Sequence, residues 1–170
     1  GGRSGLLANA APGSVIAIHS TVLPRTVREL GQAAGQRGLG LLDACVTGGA
    51  MGAEAGTLTY MVGGDAGDLE KARPVFETAA SSIIHTGELG SGAAAKLCNN
   101  VITYLEFLAV SEAFRLAEAA GLPAETLENI TRSNGNLTDQ MQAFLGLHKL
   151  SREQRAGLGD LLEGLAELAD

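Results

Sequence analysis

The sequence predicts an α/β sheet followed by an all-α segment, and three observations carry that prediction. Short apolar runs of strand length alternate with helical patterns up to about residue 90, and beyond it every periodic stretch is helical. A composition of 45% hydrophobic and 18% charged residues is that of a globular chain rather than a disordered one. The 24 glycines follow no collagen-like period and fit the many tight turns of an α/β protein.

The elements follow in order. Ala11-Pro-Gly-Ser14 is a turn, and Val15–His19 is an apolar run of the kind that forms a buried parallel strand. Ser20-Thr21 ends it. Pro24, whose fixed φ suits a first helical turn, opens a helix to about Gln36. Val27, Leu30 and Ala34 supply its inner face, and Gly35 and Gly38 its stop. Leu41–Val46 is a second strand, and Thr47-Gly-Gly-Ala-Met-Gly52 after it reads as a glycine-rich loop. Thr57–Val62 is a third strand, closed by Gly63-Gly64. Asp65 or Asp68 can cap the next helix, in which Pro74 should kink or restart the turn. Ser82–His85 is a fourth strand. This alternation predicts a mainly parallel sheet over residues 1–90, with a helical second part over 91–170.

Gly90-Ser-Gly-Ala-Ala-Ala-Lys96-Leu-Cys-Asn-Asn100 opens the longest helical pattern. Ser91 is the expected N-cap, and three alanines favour the first turns. Ala94, Leu97, Cys98, Val101, Leu105 and Leu108 recur at helical spacing and predict a buried stripe. Lys96 and Asn100 stand one turn apart on one face, which Thr103 and Phe107 continue. Gly92, a turn earlier, is expected to leave room there for a small oxygen-rich ligand. Gly121 ends the helix, Pro123 starts another, and Ser133-Asn-Gly-Asn136 is a turn. Ser151-Arg-Glu-Gln154 is a capping box ahead of a core face of Leu158, Leu161, Leu162, Leu165 and Leu168. The pattern opens without a first strand and closes at Asp170 inside a leucine-periodic helix, so the expectation is a piece of a longer protein.

Several function classes are set aside by simple chemistry. A formal charge of −7 with no basic cluster argues against nucleic acid as a partner. The longest helical pattern carries polar residues throughout, and no run of about 18 apolar residues suggests a membrane span. Cys45 and Cys98 lie in apolar contexts, which points to free thiols and a cytoplasmic location. His19, His85 and His148 lack metal-ligand spacing, and no Gly-x-Ser-x-Gly nucleophile turn occurs.

Residues 90–95 fit the G-x-G-x-x-A dinucleotide fingerprint, but Thr86 to Leu89 separate them from the strand. The fingerprint needs its first glycine in the tight turn itself, so this one is expected to be a decoy. Lys96 with Asn100 is the stronger candidate, against the plainer possibility of a solvated lysine on an exposed face. Asparagines are mediocre helix formers, so two of them in mid-helix call for a further reason. Thr47-Gly48-Gly49 follows a strand's carboxyl end, where open α/β sheets bind ligands and successive glycine N–H groups can converge on an anion. Ser20-Thr21 occupies a similar strand end.

Three blocks then become familiar. Asp43-Ala-Cys-Val-Thr-Gly-Gly49, then Gly52-Ala with Gly56-Thr-Leu-Thr-Tyr-Met-Val-Gly-Gly64, then Gly90-Ser-Gly-Ala-Ala-Ala-Lys-Leu-Cys-Asn-Asn100 resemble the β-hydroxyacid dehydrogenases. That family includes 3-hydroxyisobutyrate dehydrogenase, tartronate semialdehyde reductase and, more distantly, 6-phosphogluconate dehydrogenase. The likeness covers about residues 1–145, in order and spacing.

The resemblance implies an oxidoreductase using NAD or NADP, with a Rossmann-like sheet domain, a long interdomain helix and an all-helical second domain. By that likeness Lys96 is the catalytic acid/base, Asn100 holds the substrate, and Thr47, Gly48 and Gly49 take its carboxylate. Thr21 would lie against the nicotinamide end of the cofactor. The implied substrate is a small 3-hydroxy acid or its semialdehyde, and the implied assembly a homodimer or homotetramer. Threonine stands at 47 where the family often has serine, which keeps the hydroxyl, and Cys45 stands where proline is usual. The family's glycine-rich phosphate loop belongs to a first strand–helix unit not found in these residues. The 170-residue chain alone is therefore expected to bind NADH weakly or not at all, and micromolar affinity in a fluorescence titration would contradict this. Two other functions compete: a non-catalytic assembly module derived from such an enzyme, and a lyase using Lys96 as a Schiff base.

Overall fold

The structure, a computed structural model, describes residues 5–136, and the chain divides into two units, Gly1–Val101 and Ile102–Asp170. In the first unit a short helix α1 (Leu6–Asn9) precedes β1 (Val15–Ile18), α2 (Pro24–Gly35), β2 (Gly40–Thr47) and α3 (Gly49–Ala55). There follow β3 (Leu58–Gly63), α4 (Ala66–Phe76), β4 (Ala80–Gly87) and the start of α5 (Ser91–Ala119). The rest of α5 and α6 (Ala124–Ser133) belong to the second unit.

The four strands pair in the order β1-β2-β3-β4. β1 lies parallel to β2, and β3 parallel to β4, whereas β2 and β3 run antiparallel with Asp43 opposite Gly63 and Thr47 opposite Thr59. The sheet is thus mainly parallel, with one reversed pair whose cause is the length of its connection. A parallel return needs a crossover of about a dozen residues or more. α2 and α4 supply such crossovers, but only residues 48–57 separate β2 from β3.

Strand side chains alternate between two packed faces. On one face Leu41 and Cys45 of β2 and Met61 of β3 pack with Val27 and Ala34 of α2 and Ala93 of α5. On the other, Leu42 and Ala44 of β2 and Tyr60 and Val62 of β3 meet Leu69 and Phe76 of α4. Burial on both faces explains why the central strands β2 and β3 are mainly apolar in sequence.

Local chemistry sets most boundaries as expected. Of the two candidate caps for α4 it is Asp65 that acts, accepting from the Asp68 N–H at 3.0 Å. Asp68 instead pairs with Lys71 at 2.8 Å. Pro74 is accommodated in the last turn of α4, which stops two residues later at Phe76. Gly121 follows the end of α5, where Leu122 N–H donates to Ala117 O at 2.8 Å, and α6 begins after Pro123.

Three expectations need correction. The stretch after Thr47 is not simply a loop: Gly49–Ala55 forms α3, because alanine, methionine and glutamate beyond the paired glycines favour helix. The stripe Ala94, Leu97, Cys98, Val101, Leu105 and Leu108 is not buried by the described residues. Ala94 and Cys98 are exposed, Leu97 is half-buried, and Val101, Leu105 and Leu108 are 58%, 60% and 56% exposed. The residue of α5 that enters the core is Ala93, at 1%. The helix meets the sheet through its small-residue first turn rather than through its larger apolar side chains. Cys98, accordingly, is not in an apolar setting. The predicted capping box at 151–154 and the leucine face beyond it lie outside the described residues.

Candidate active site

β2 and α5 together place the candidate residues. Asp43, Cys45 and Thr47 project to one face of β2 because strand side chains alternate. They meet residues of α5 spaced one turn apart. Asp43, wholly buried, accepts from Gly90 N–H at 2.9 Å and from Ala93 N–H at 2.7 Å. Cys45 and Lys96 lie close enough for the charge of each to act on the other. Asn99 donates from its side-chain amide to the Thr47 hydroxyl at 3.5 Å.

Burial pushes the Lys96 amine below the ordinary lysine range, an effect that the negative charge of the nearby Cys45, when ionised, opposes. The same environment raises the Cys45 thiol, first by burial and then by the Asp43 carboxylate, with Lys96 acting the other way. Cys45 is fully buried and its thiol points to Ser20 O at 3.6 Å, so it is a protonated, packed neighbour of Lys96 rather than a nucleophile.

Because β1 and β2 run parallel, Ser20-Thr21 and Thr47 lie at the same end of the sheet. Thr21 is exposed there, just past the carboxyl end of β1. Gly48 and Gly49 follow Thr47 with φ of +122° and +61°, conformations that side-chain-bearing residues rarely adopt. Both glycines are exposed at the strand's end; the Leu58 side chain packs beside Gly48, and nothing lies within 4 Å of a Cβ built at Gly49. His19 belongs elsewhere: its Nδ1 is 2.7 Å from Ala44 O, and its ring stands edge-on to Tyr60 and Phe76 on the α4 face.

The start of α5 differs from the sequence expectation in two ways. The Ser91 hydroxyl bonds Thr86 Oγ1 at 2.7 Å instead of capping the helix, and Asp43, far away in sequence, takes the cap's place. Gly92 opens no room for a ligand. A Cβ there would sit against Asp43 O, 2.6 Å from Met61 O and 2.9 Å from Gly63 N, so the missing side chain admits the sheet's own backbone. The Asp43 carboxylate also occupies the N–H groups that a phosphate would need, in keeping with the fingerprint at 90–95 being a decoy.

Of the residues singled out from sequence, Lys96 lies near Cys45, two residues before Thr47 on the same strand face, and Gly48 and Gly49 continue from Thr47. Asn100 is half-buried on the same helix, but the asparagine that reaches Thr47 is Asn99. Its spacing of three from Lys96 was as compatible with a shared face as the spacing of four. Asp43 also escaped sequence reasoning. A lone aspartate inside an apolar strand, a residue type seldom buried without partners, was the available signal.

Comparison with known proteins fits this arrangement. Residues 1–87 match the family model described as the NAD binding domain of 6-phosphogluconate dehydrogenase. Residues 90–145 match the one described as NAD-binding of NADP-dependent 3-hydroxyisobutyrate dehydrogenase. The NAD-dependent L-serine dehydrogenase of Pseudomonas aeruginosa is 49% identical over 134 residues, covering 78% of this chain and 45% of that protein. A 3-hydroxyisobutyrate dehydrogenase of the same organism is 42% identical over 135 residues, covering 79% and 45%. The structure of Mycobacterium tuberculosis 3-hydroxyisobutyrate dehydrogenase with L-serine superposes with a TM-score of 0.68 at 44% identity, covering 75% of this chain and 44% of that one. The chain therefore spans about half the length of the curated relatives it matches.

Proposed function

We infer the activity from kinship: the chain belongs to the β-hydroxyacid dehydrogenase family, and the reaction we propose is NAD(P)-dependent interconversion of a small 3-hydroxy acid and its semialdehyde. The observation that carries the proposal is the half-buried Lys96 amine, held below its ordinary range beside Cys45 on a helix whose next turn reaches Thr47. Its fit to a nicotinamide group rests on Thr21, an exposed hydroxyl at the same sheet end as Thr47.

The nicotinamide, when bound, supplies the hydride acceptor for oxidation and the hydride for reduction. The protein's own residues manage the substrate and its proton. Gly48, Gly49 and the Thr47 hydroxyl hold the substrate carboxylate, and Asn100 holds the substrate from α5, with Asn99 steadying Thr47. As the carbon–hydrogen bond breaks, the neutral Lys96 amine takes the hydroxyl proton at Nζ; in reduction the ammonium returns it to the forming hydroxyl. Thr21 would border the nicotinamide end of a bound cofactor. The asparagines are neutral, so they do not oppose the lowered lysine pKa.

In this proposal residues 1–90 contribute to the cofactor domain, and residues 91–170 to the connecting helix and the helical domain. The protein works in the cytoplasm, a location supported by its free thiols Cys45 and Cys98. It assembles as a homodimer or homotetramer, supported by Val101, Leu105 and Leu108, which are apolar and exposed.

The test is turnover. The whole protein should oxidise small 3-hydroxy acids with NAD or NADP. Because Lys96 must be neutral to accept a proton, and its pKa lies below that of a free lysine, oxidation should rise with pH and level off before the ordinary lysine range. Absence of turnover with a panel of 3-hydroxy acids and both cofactors would refute the proposal.

A further inference from the structure

Asp43 is the buried charged residue among those described, and nothing in the proton-transfer step uses it. Both of its oxygens are spent on one task, accepting the Gly90 and Ala93 N–H groups at 2.9 and 2.7 Å. A carboxylate at a helix N-terminus satisfies donors that otherwise lack partners and lies at the favourable end of the helix dipole. An ordinary N-cap comes from the residue just before the helix, as Asp65 does for α4. Here the cap comes instead from the strand carrying Thr47, and this joins two elements of the site.

The joined residues stand in matched series. Positions 43, 45 and 47 share one face of β2, and positions 93, 96 and 99 succeed one another by a turn along α5. Asp43 is bonded to Ala93, Cys45 neighbours Lys96, and Thr47 meets Asn99. The Asn99–Thr47 contact is long, at 3.5 Å, and Cys45–Lys96 is not a hydrogen bond. The two short bonds from Asp43 are therefore the ones able to fix where α5 lies along β2.

We propose that Asp43 is the positioning residue of this site, its buried carboxylate setting the register of α5 on β2 and so the place of the Lys96 amine beside Cys45 and Thr47. The inference rests on Lys96 being the proton-transfer group. Asp43→Asn keeps the shape but turns an N–H donor toward a helix N–H, so the start of α5 moves away from β2. Lys96 then gains water.

The experiment is a pH titration of the 170-residue chain after reductive 13C-methylation of its lysines, with the Lys96 signal assigned by Lys96→Arg. In Asp43→Asn the Lys96 midpoint should rise by about half a pH unit or more, toward the ordinary lysine value. Simple loss of a negative charge would move it down, and a purely structural cap would leave it unmoved in the folded protein; either result overturns the proposal. Asp43→Glu, which keeps the charge but is one methylene longer, should also raise it. Should both variants fail to fold, hydrogen exchange in the unaltered chain decides. The Gly90 and Ala93 amides should be protected, and exchange at the rate of an open helix end would overturn the clamp. None of these readouts needs cofactor or turnover. The clamp can thus fail while the dehydrogenase assay succeeds, and the reverse.

Discussion

Lys96→Ala is expected to slow hydride transfer between a 3-hydroxy acid and the nicotinamide in the whole protein by about 10²–10⁴-fold, the range that a positioned acid/base contributes. The loss should fall on kcat, because the proton moves only as the carbon–hydrogen bond breaks, while substrate affinity through Thr47, Gly48 and Gly49 is kept. Stability should hold or improve. A lysine whose pKa is lowered by burial binds fewer protons folded than unfolded, so between its folded and unfolded pKa stability rises with pH. At neutral pH the buried charge is a cost that alanine removes. Small primary amines added to the variant should restore part of the rate. A variant that keeps its kcat would remove Lys96 from the chemistry.

The second large effect is on folding. Gly92→Ala should lower stability by about 2 kcal/mol or more, against the usual gain of about 0.5–1 kcal/mol when alanine replaces a helical glycine. The sign is set by what the new methyl meets. At Gly92 it meets the Asp43 and Met61 carbonyl oxygens and the Gly63 N–H, backbone that cannot turn aside. At Gly35, in the last turn of α2, it would meet nothing within 4 Å, so Gly35→Ala is the matched control and should show the ordinary gain. Urea denaturation of the two variants measures both. Stabilisation by Gly92→Ala would mean that α5 does not rest on the sheet as described.

Sequence and structure agree where the determinants are local. The two central strands, β2 and β3, could be read because both their faces are largely buried and apolar side chains therefore dominate them, as in Leu41–Val46, which only Asp43 interrupts. Pro24, Asp65, Gly121 and Pro123 each act within a few residues of themselves, and so marked helix ends correctly. The reversal of β3 was not legible, because it depends on how the short β2–β3 connection compares with a crossover. The cap of α5 is not legible from its own neighbourhood, because its acceptor, Asp43, comes from another strand. The same holds for Gly92, since only the fold reveals whether ligand or backbone fills the space a glycine leaves. The family's motifs single out Lys96 and Thr47 as candidates, but which of Asn99 and Asn100 neighbours Thr47 depends on the rotation of α5 and is not legible without coordinates.

The most direct measurement is the pH dependence of 3-hydroxy acid oxidation by the whole protein, with lysine and with alanine at position 96. The rate should climb with a single proton's slope to a plateau below the ordinary lysine range, and in Lys96→Ala that limb should disappear along with most of the rate. A limb that persists unchanged in Lys96→Ala would show that the proton leaves by another group, and the assignment built on this amine would be wrong.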